Sequence, residues 1–347
     1  MTDCIPHSRP WITDGDRIAV DKVLGTGMLT QGVLTEEFEN KVSQYLGVHG
    51  GVATSSGTAA LILAMQVLDV GQDDEVILPA YVCRSVLEAV VTVGAKPILC
   101  DVGQEWVMTP ESVEPYISKR TSAIIVVHIY GLATDIDSLL SFGPPVIEDA
   151  CQSFGLIIDG RPAGSIGPVG VLSFHATKCL TTGEGGMLVA KNPEMIEKAR
   201  VIRDGSQYLL RRVPAPLSDL QAALGISQLD RYGVFLNKRK QIQKEYCDAL
   251  SGKMDCVGGI FGKDFLYRFV MKNIGDFGLI SKQFGNSSIC VRRGVDTLLH
   301  REMNLPDEQF QNSVSLYNRT VSVPFYPALT EPEIDRVCNA LSSMSIG

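Results

Sequence analysis

The chain has 347 residues, of which 45% are hydrophobic and 20% are charged, and its formal net charge is −8. A chain of this length is expected to form about two domains of roughly 100–200 residues each. The acidic balance, without a dense basic block, argues against a nucleic-acid-binding protein. Apolar stretches end well before the roughly 18–20 residues that cross a bilayer, and the amino-terminal residues lack the apolar core of an export signal. We therefore expect a soluble cytoplasmic protein that binds neither nucleic acid nor membrane.

The nine cysteines favour neither a disulfide framework nor a zinc site, because their number is odd and no C-x-x-C pair occurs. Reduced thiols in a cytoplasm fit this pattern best. The five histidines are isolated and lack the spacing of metal ligands. No metal is expected.

From about residue 52 to residue 191, short β-branched apolar runs alternate with segments of helical period, which predicts an α/β fold. The predicted strands are 51–54, 76–79, 96–102, 123–130, 145–149, 169–174 and 186–191. The predicted helices of the first part are 58–68, 85–93, 109–117 and 136–140. Most of the strand runs are continuously apolar rather than alternating, as in buried strands. The pattern therefore predicts a mostly parallel seven-stranded sheet between helices.

Beyond residue 191 the pattern predicts long helices at 193–203 and 217–250. From about residue 251 it indicates a small α+β unit. That unit contains predicted strands at 267–271 and 288–291 and a closing helix at 331–342. We predict a large domain, 1–235, with an amino-terminal arm, 1–15, and a small carboxyl-terminal domain, 236–347.

The first candidate site is the segment SSGTAAL, residues 55–61, where a strand gives way to a helix through small hydroxyl-bearing residues. Free backbone N–H groups and the positive end of the helix dipole suit an anion, most simply a phosphate. The alternative is a helix cap with no ligand.

The second candidate is the end of the run PVIED, where Glu148 and Asp149 follow an apolar strand. Ligands of open α/β sheets bind beyond the carboxyl ends of the strands, so an acid there is well placed for chemistry. A helix cap or a pair with arginine is the alternative.

The third candidate is Lys178, which lies just past a strand in the glycine-rich loop HATKCLTTGEGG. Glycines allow the backbone to approach a ligand closely, and a partly desolvated lysine is expected to lose its proton more readily. A loop lysine can equally be a solvated charge. Together, a phosphate cradle, an acid at a strand end and a sheltered lysine are what pyridoxal phosphate requires.

The sequence resembles the DegT/DnrJ/EryC1/StrS family of pyridoxal-phosphate-dependent sugar aminotransferases, which have the aspartate-aminotransferase (type I) fold. The resemblance runs over almost the whole chain, in ordered segments that include GTGMLTQGVLTEEFE, SSGTAALILA, VIEDACQSFG, LSFHATKCLTTGEGG and LSDLQAALGISQL. The number and order of these segments make the match specific, whereas SSGTAAL alone would be a weak signal.

The resemblance implies a catalytic centre around Lys178, Asp149 and His175. Lys178 matches the lysine that binds the cofactor covalently and then moves the proton. Asp149 matches the aspartate that pairs with the pyridinium nitrogen, and Gln152 matches the glutamine beside the phenolic oxygen. His175 occupies a position expected to face the substrate, although a histidine packed at a strand end explains it equally. Since residue 178 is not histidine, the dehydratase branch of the family is disfavoured.

The resemblance also implies the phosphate ligands. Gly57, Thr58 and Ser173 match phosphate-binding positions, with Ser56 beside them. Cys83 stands where many members carry an aromatic ring that stacks on the cofactor, and a thiol cannot stack in this way. Tyr81 would compensate only if the segment is still extended there.

A second departure lies where the neighbouring subunit usually supplies an asparagine to the phosphate. This chain has Pro214, which offers neither a side-chain amide nor a backbone N–H. We expect Arg211 or Arg212 to replace that contact from the other subunit with a charge-assisted one. Asp204-Gly205 replaces a common H-G pair, and the carboxyl-terminal domain is short for the family.

The resemblance implies a ping-pong aminotransferase that forms a homodimer with its site at the subunit interface. Its amino donor would be L-glutamate, and its acceptor a nucleotide-linked keto-deoxysugar of polysaccharide or secondary-metabolite biosynthesis. The departures leave two alternatives open. One is an aminotransferase for a keto-cyclitol or other non-nucleotide ketone, and the other is a non-catalytic protein that binds pyridoxal phosphate for regulation.

Overall fold

Seven of the strands in the described residues form one central sheet in the order β1-β9-β8-β5-β4-β2-β3. The computed structural model describes residues 4–205, 215–250, 267–272 and 275–344. The strands are β1 Gly50–Thr54, β2 Glu75–Pro79, β3 Lys96–Cys100, β4 Thr121–Val127, β5 Val146–Asp149, β6 Ile157–Ile158, β7 Arg161–Pro162, β8 Val169–Ser173, β9 Gly186–Ala190, β10 Phe269–Lys272 and β11 Thr320–Val323.

Helices flank this sheet and build the carboxyl-terminal part of the chain. The helices are α1 Asp14–Thr26, α2 Val33–Leu46, α3 Gly57–Val67, α4 Arg84–Thr92, α5 Pro110–Val113, α6 Ile136–Leu140, α7 Pro193–Asp204, α8 Asp219–Asp230, α9 Tyr232–Leu250, α10 Phe277–Asn286, α11 Leu299–Glu302, α12 Gln311–Arg319 and α13 Glu331–Ser342. None of the helices in the described ranges combines the length and the apolar character that a membrane span requires.

The α/β prediction and all seven predicted sheet strands are confirmed. Strands β8, β5, β4, β2 and β3 run parallel to one another, and β9 is antiparallel to both of its neighbours, β1 and β8. Since β1 and β8 both oppose β9, they point the same way. The carboxyl ends of β1, β2, β5 and β8 therefore meet at one edge of the sheet, where the candidate residues lie.

Some of the predicted helices and one predicted strand need correction. The predicted helix 217–250 is two helices, because α8 ends at Asp230 and the next residue, Arg231, has a φ of −108° and a ψ of 7° that break the helical path before α9 begins. The predicted strand 288–291 forms one isolated bridge, which pairs Ile289 with Ile5. Helices α1 and α2 were not predicted. The division at residue 235 stays a prediction.

Glu148 is a buried anchor of the sheet rather than a candidate for chemistry. Its side chain is fully buried and accepts hydrogen bonds from the backbone N–H groups of Gly164 (2.6 Å), Ile166 (2.8 Å) and Gly167 (3.0 Å). His128 donates a further bond from Nε2 (3.0 Å), since its Nδ1 accepts the N–H of Thr134. Burial alone would raise the pKa of Glu148, but these donors outweigh it and lower the pKa.

We predict that Glu148→Gln destabilises the protein by about 2–4 kcal/mol at neutral pH, because an amide N–H then faces N–H donors in a dry site. The pKa of Glu148 is lower in the folded state, so its stabilisation is present above the pKa of the unfolded chain and is lost as the pH falls. Urea unfolding at several pH values measures this difference. The exposed Glu197→Gln is the matched control, and an equal loss in both variants would contradict the assignment.

Candidate active site

The first part of the site is the start of α3, which follows β1 at the carboxyl edge of the sheet. Ser56 caps this helix, and its hydroxyl accepts the N–H of Ala59 at 3.1 Å. The N–H groups of Gly57 and Thr58, in the first turn, have no acceptor within the helix. The side chain of Ser56 is thus used as a cap, while the next two residues keep backbone donors for an anion.

Ser173, the last residue of β8, lies directly against Gly57. A Cβ at Gly57 would approach the Cβ of Ser173 to 2.9 Å and its Oγ to 3.3 Å, so only glycine leaves room there. Gly186 allows a similar approach, because a Cβ there would lie 2.3 Å from the carbonyl oxygen of Ser56. The structure thus brings the predicted phosphate ligands together. Two N–H groups and a hydroxyl around a space without a Cβ fit a phosphate.

Asp149 ends β5 and faces away from the pocket that holds Glu148, since successive residues of a strand point to opposite sides. Its side chain is 3% exposed, and Oδ1 accepts the N–H of Cys151 at 2.9 Å. This bond fixes the carboxylate at the strand end, where it can pair with a cationic ring nitrogen.

Gln152 follows on the same turn. Its Oε1 accepts the backbone N–H of Tyr130 at 2.9 Å. Because the carbonyl oxygen is engaged, the amide NH₂ is the group that can donate to a ligand. Tyr130 presents its N–H from a left-handed conformation with φ of 57°. This arrangement suits a donor to an oxyanion, as predicted for Gln152.

Lys178 is half-buried in the loop after β8, with its N–H bonded to the carbonyl oxygen of His175 at 2.8 Å. Its Nζ lies 5.0 Å from the centre of the Tyr267 ring. Burial alone would lower the pKa of Lys178, but Tyr267, Cys151, Cys83 and Asp149 outweigh it, and the pKa is raised. The expectation that desolvation makes the lysine lose its proton more readily is therefore wrong for the protein without a ligand.

Tyr267 was missed by the sequence analysis. It is 4% exposed, its hydroxyl approaches the Oγ1 of Thr177 at 3.4 Å, and the guanidinium of Arg268 lies 5.3 Å from its ring centre. Burial alone would raise the pKa of Tyr267, but the cations Lys178 and Arg268 outweigh it and the pKa is lowered. Its position after a glycine-rich stretch gave no signal of proximity to Lys178.

Cys83 lies at the start of α4, near enough to Lys178 and Asp149 for their charges to act on its thiol. Burial and the charge of Asp149 raise the pKa of its thiol, although Lys178 opposes the shift. Tyr81 does not replace the missing ring, because its side chain is buried and its hydroxyl bonds that of Tyr130 at 3.0 Å. The site therefore presents a small thiol where the resemblance implies an aromatic ring.

His175 lies at the rim of the loop and is half-exposed. Its Nδ1 accepts the N–H of Thr177 at 3.2 Å, so the proton of the neutral ring is on Nε2, which lies 3.6 Å from a carboxylate oxygen of Glu184. The geometry is compatible both with a substrate-facing ring and with a locally packed one. Pro214, Arg211 and Arg212 lie outside the described residues.

The residues that suit the cofactor come from three separate segments, 57–58, 149–152 and 173–178, and meet at one edge of the sheet. Backbone donors and Ser173 suit a phosphate, Asp149 suits a protonated ring nitrogen, Gln152 suits an oxyanion, and the amine of Lys178 suits an aldehyde. The donor set fits pyridoxal phosphate.

Comparisons with known proteins give a consistent picture. A sequence model of the DegT/DnrJ/EryC1/StrS aminotransferase family matches residues 11–257. Spr1654 from Streptococcus pneumoniae, assigned as a sugar aminotransferase and solved in its PLP form, is similar over 98% of both chains at 25% identity, with a TM-score of 0.92. The aminotransferase TlmJ from Streptoalloteichus hindustanus is similar over 98% of both chains at 26% identity (TM-score 0.90). DesV from S. venezuelae is similar over 94% of this chain and 93% of its own at 26% identity (TM-score 0.87).

We predict that Gly57→Ala weakens binding of pyridoxal phosphate by about 10–100-fold, because the added methyl group pushes Ser173 away from the start of α3 and so moves the phosphate-binding groups apart. Equilibrium dialysis measures the affinity, and thermal unfolding of the protein without cofactor checks that the fold is intact. Gly285→Ala is the matched control, since a Cβ there meets no atom within 4 Å. Unchanged affinity in the folded Gly57 variant would contradict the cradle.

Proposed function

The chain belongs to the DegT/DnrJ/EryC1/StrS aminotransferase family, and on that premise we propose that it transfers the amino group of L-glutamate to a nucleotide-linked keto-deoxysugar. Pyridoxal phosphate is its cofactor. The observation that carries the proposal is the meeting of Lys178, Asp149 and the start of α3 at one edge of the sheet.

Each residue around the cofactor has a separate role, which follows from its chemistry. When bound, pyridoxal phosphate supplies an electron-withdrawing ring that takes up negative charge from the substrate carbon. Gly57, Thr58 and Ser173 hold the phosphate. Asp149 holds a proton on the ring nitrogen, since a buried carboxylate favours the cationic form of its partner.

Lys178 holds the cofactor covalently and carries the proton that moves between substrate and cofactor. Its raised pKa means that the amine is mostly protonated before loading, and only the unprotonated amine is a nucleophile. Asp149, Cys83, Cys151 and Tyr267 therefore prepare Lys178 as a proton carrier. Because these groups keep the amine protonated, they also slow its attack on an aldehyde.

The acceptor is the finer part of the proposal. Spr1654 is assigned to sugar amination, which supports a sugar ketone. The thiol of Cys83 takes less space than an aromatic ring, and it lies near enough to Lys178 for that charge to act on it. His175 at the rim is the residue of this cleft that we assign to the substrate, with its Nε2–H available to a carbonyl or hydroxyl oxygen.

A homodimer with the site at its interface belongs to the same proposal. Large apolar side chains are exposed on α1, on α2 and on the turn between them, among them Met28 (73% exposed), Val33 (78%) and Leu24 (54%). These side chains lie beside a groove of about 690 Å³, with Asp219 of α8 at its floor. Exposed apolar surface of this kind is typical of an interface between copies of a chain.

The first test is the visible absorption spectrum of the purified protein with pyridoxal phosphate, before and after addition of L-glutamate. We expect a visible band that L-glutamate bleaches and that Lys178→Ala abolishes. The exposed Lys191→Ala is the matched control and should retain the band. A band that no amino donor changes would contradict the proposal and favour a non-catalytic protein that binds pyridoxal phosphate. A colourless protein would contradict both.

The same preparation distinguishes the acceptor classes. After bleaching, a nucleotide-linked keto-deoxysugar should restore the band, whereas a keto-cyclitol should leave it bleached. The reverse result would overturn the nucleotide assignment without affecting the aminotransferase one.

A second prediction concerns the pH dependence of cofactor loading. Tyr267→Phe removes the neighbour that contributes most to raising the pKa of Lys178, so that this pKa falls and the free amine forms at lower pH. The initial rate of appearance of the visible band should reach its half-maximum at lower pH than in the parent protein. Tyr317→Phe, distant from Lys178 with its hydroxyl on the carbonyl of Asp296, is the control. A midpoint that stays constant or rises would contradict the role of Tyr267.

A further inference from the structure

Two exposed cysteines lie side by side although 286 positions separate them in the sequence. The sulfur atoms of Cys4 and Cys290 are 3.2 Å apart and share a hydrogen bond. The backbone fixes this pair, because the N–H of Ile5 bonds the carbonyl of Ser288 at 2.8 Å and the N–H of Cys290 bonds the carbonyl of Ile5 at 3.0 Å. The side chain of Ile5 is fully buried. The two thiols are therefore held at a separation that a small side-chain rotation can close.

Cys4 begins a segment, residues 4–13, that we call the strap. The ring of His7 bonds the hydroxyl of Ser322 at 2.9 Å, and Arg9 forms an ion pair with Glu333 at 2.8 Å. Each of these partners belongs to the carboxyl-terminal part of the chain. The strap thus lies along β11 and the start of α13.

The strap continues to the candidate active site. Residues 8–11 and Lys178 line the same small cavity, together with Cys179 and Arg239. Trp11 packs on Phe235 with ring centres 5.7 Å apart, and its carbonyl accepts a bond from Gln228. The strap therefore forms part of the wall around Lys178.

We propose that Cys4 and Cys290 form a reversible disulfide that locks the strap over the region of Lys178, with a low-molecular-weight disulfide such as oxidised glutathione as the oxidant. The proposal uses exposed thiols, which such an oxidant can reach. Exposed disulfides are typically the labile and regulatory ones. It does not depend on the donor or the acceptor of the amino group.

The disulfide forms in two successive thiol–disulfide exchanges. One cysteine, as its thiolate, attacks a sulfur of oxidised glutathione, which forms a mixed disulfide and releases one glutathione thiolate. The thiolate of the other cysteine then attacks the protein sulfur of the mixed disulfide, which forms the Cys4–Cys290 bond and releases the second glutathione. The two protons of the cysteines end on the two glutathione thiolates. The protein loses two electrons, and one oxidised glutathione gains them.

The test is to incubate the full-length protein, loaded with pyridoxal phosphate, in oxidised and in reduced glutathione. Peptide mapping without reductant should recover the Cys4 peptide linked to the Cys290 peptide, and dithiothreitol should separate them. Oxidation should raise the melting temperature by a few degrees, as expected for a bond that closes a long loop. It should also slow hydrogen exchange in peptides that cover the strap.

The variants separate this disulfide from general oxidation. Cys4→Ser and Cys290→Ser should each abolish the linked peptide and the gain in melting temperature, whereas Cys338→Ser, with a half-buried thiol bonded to the carbonyl of Glu245, should keep both. Three outcomes would overturn the proposal. They are separate glutathione adducts on the two cysteines, a link between two copies of the chain, and a linked peptide whose formation changes neither melting nor exchange.

Discussion

The carboxylate of Glu148 is the contact on which the geometry of the site depends. It sits in a dry interior and receives hydrogen bonds from the loop 164–167 and from His128. These bonds hold the end of β5 in register with the chain that leads into β8. Because neighbouring residues of a strand alternate sides, fixing Glu148 inward fixes Asp149 on the opposite side. The turn that follows then places Gln152 beside it. One buried ion thus orients the two groups that we assign to the cofactor in our proposal.

A second constraint is the balance of charge around Lys178. Desolvation of an ammonium group is costly, and by itself would favour the neutral amine. Asp149, Tyr267 and the thiols of Cys83 and Cys151 surround the lysine closely enough to reverse that preference. These groups are contributed by separate parts of the chain. The pKa of Lys178 therefore depends on the folding of the whole cleft. In such a site a mutation that only moves Tyr267 changes chemistry at Lys178.

Much of the fold and the core of the candidate site could be predicted from sequence, because buried strands leave a local signature. The run at 145–149 is apolar and β-branched until it reaches Glu148 and Asp149, and Lys178 comes shortly after the apolar run of β8. The positions of Asp149 and Lys178 at the ends of strands could therefore be predicted. The break at Arg231 could not, since the helical period of apolar residues continues through it. The contact of Tyr267 with Lys178 joins segments nearly ninety residues apart and depends on the path of the chain between them. The direction of the pKa shift of Lys178 depends on several such contacts at once. In α1 a signal was present, since Thr13 and Asp16 form a capping box, but the apolar spacing that would have supported it is weak.

The strap also has a consequence for how the chain reaches its folded state. Ile5, His7 and Arg9 find their partners at Ser288, Ser322 and Glu333, which the ribosome adds hundreds of residues later. The apolar side chain of Ile5 therefore stays uncovered until the segment around Ser288 has been synthesised. Contacts of such sequence separation form late, because closing the intervening loop costs chain entropy before it gains any burial. A nascent chain that ends before α13 would have the sheet, Asp149 and Lys178 but would lack Glu333, the ion-pair partner of Arg9 in the strap. The part of the wall around Lys178 that the strap contributes is therefore held in place by Glu333 only after α13 has been synthesised.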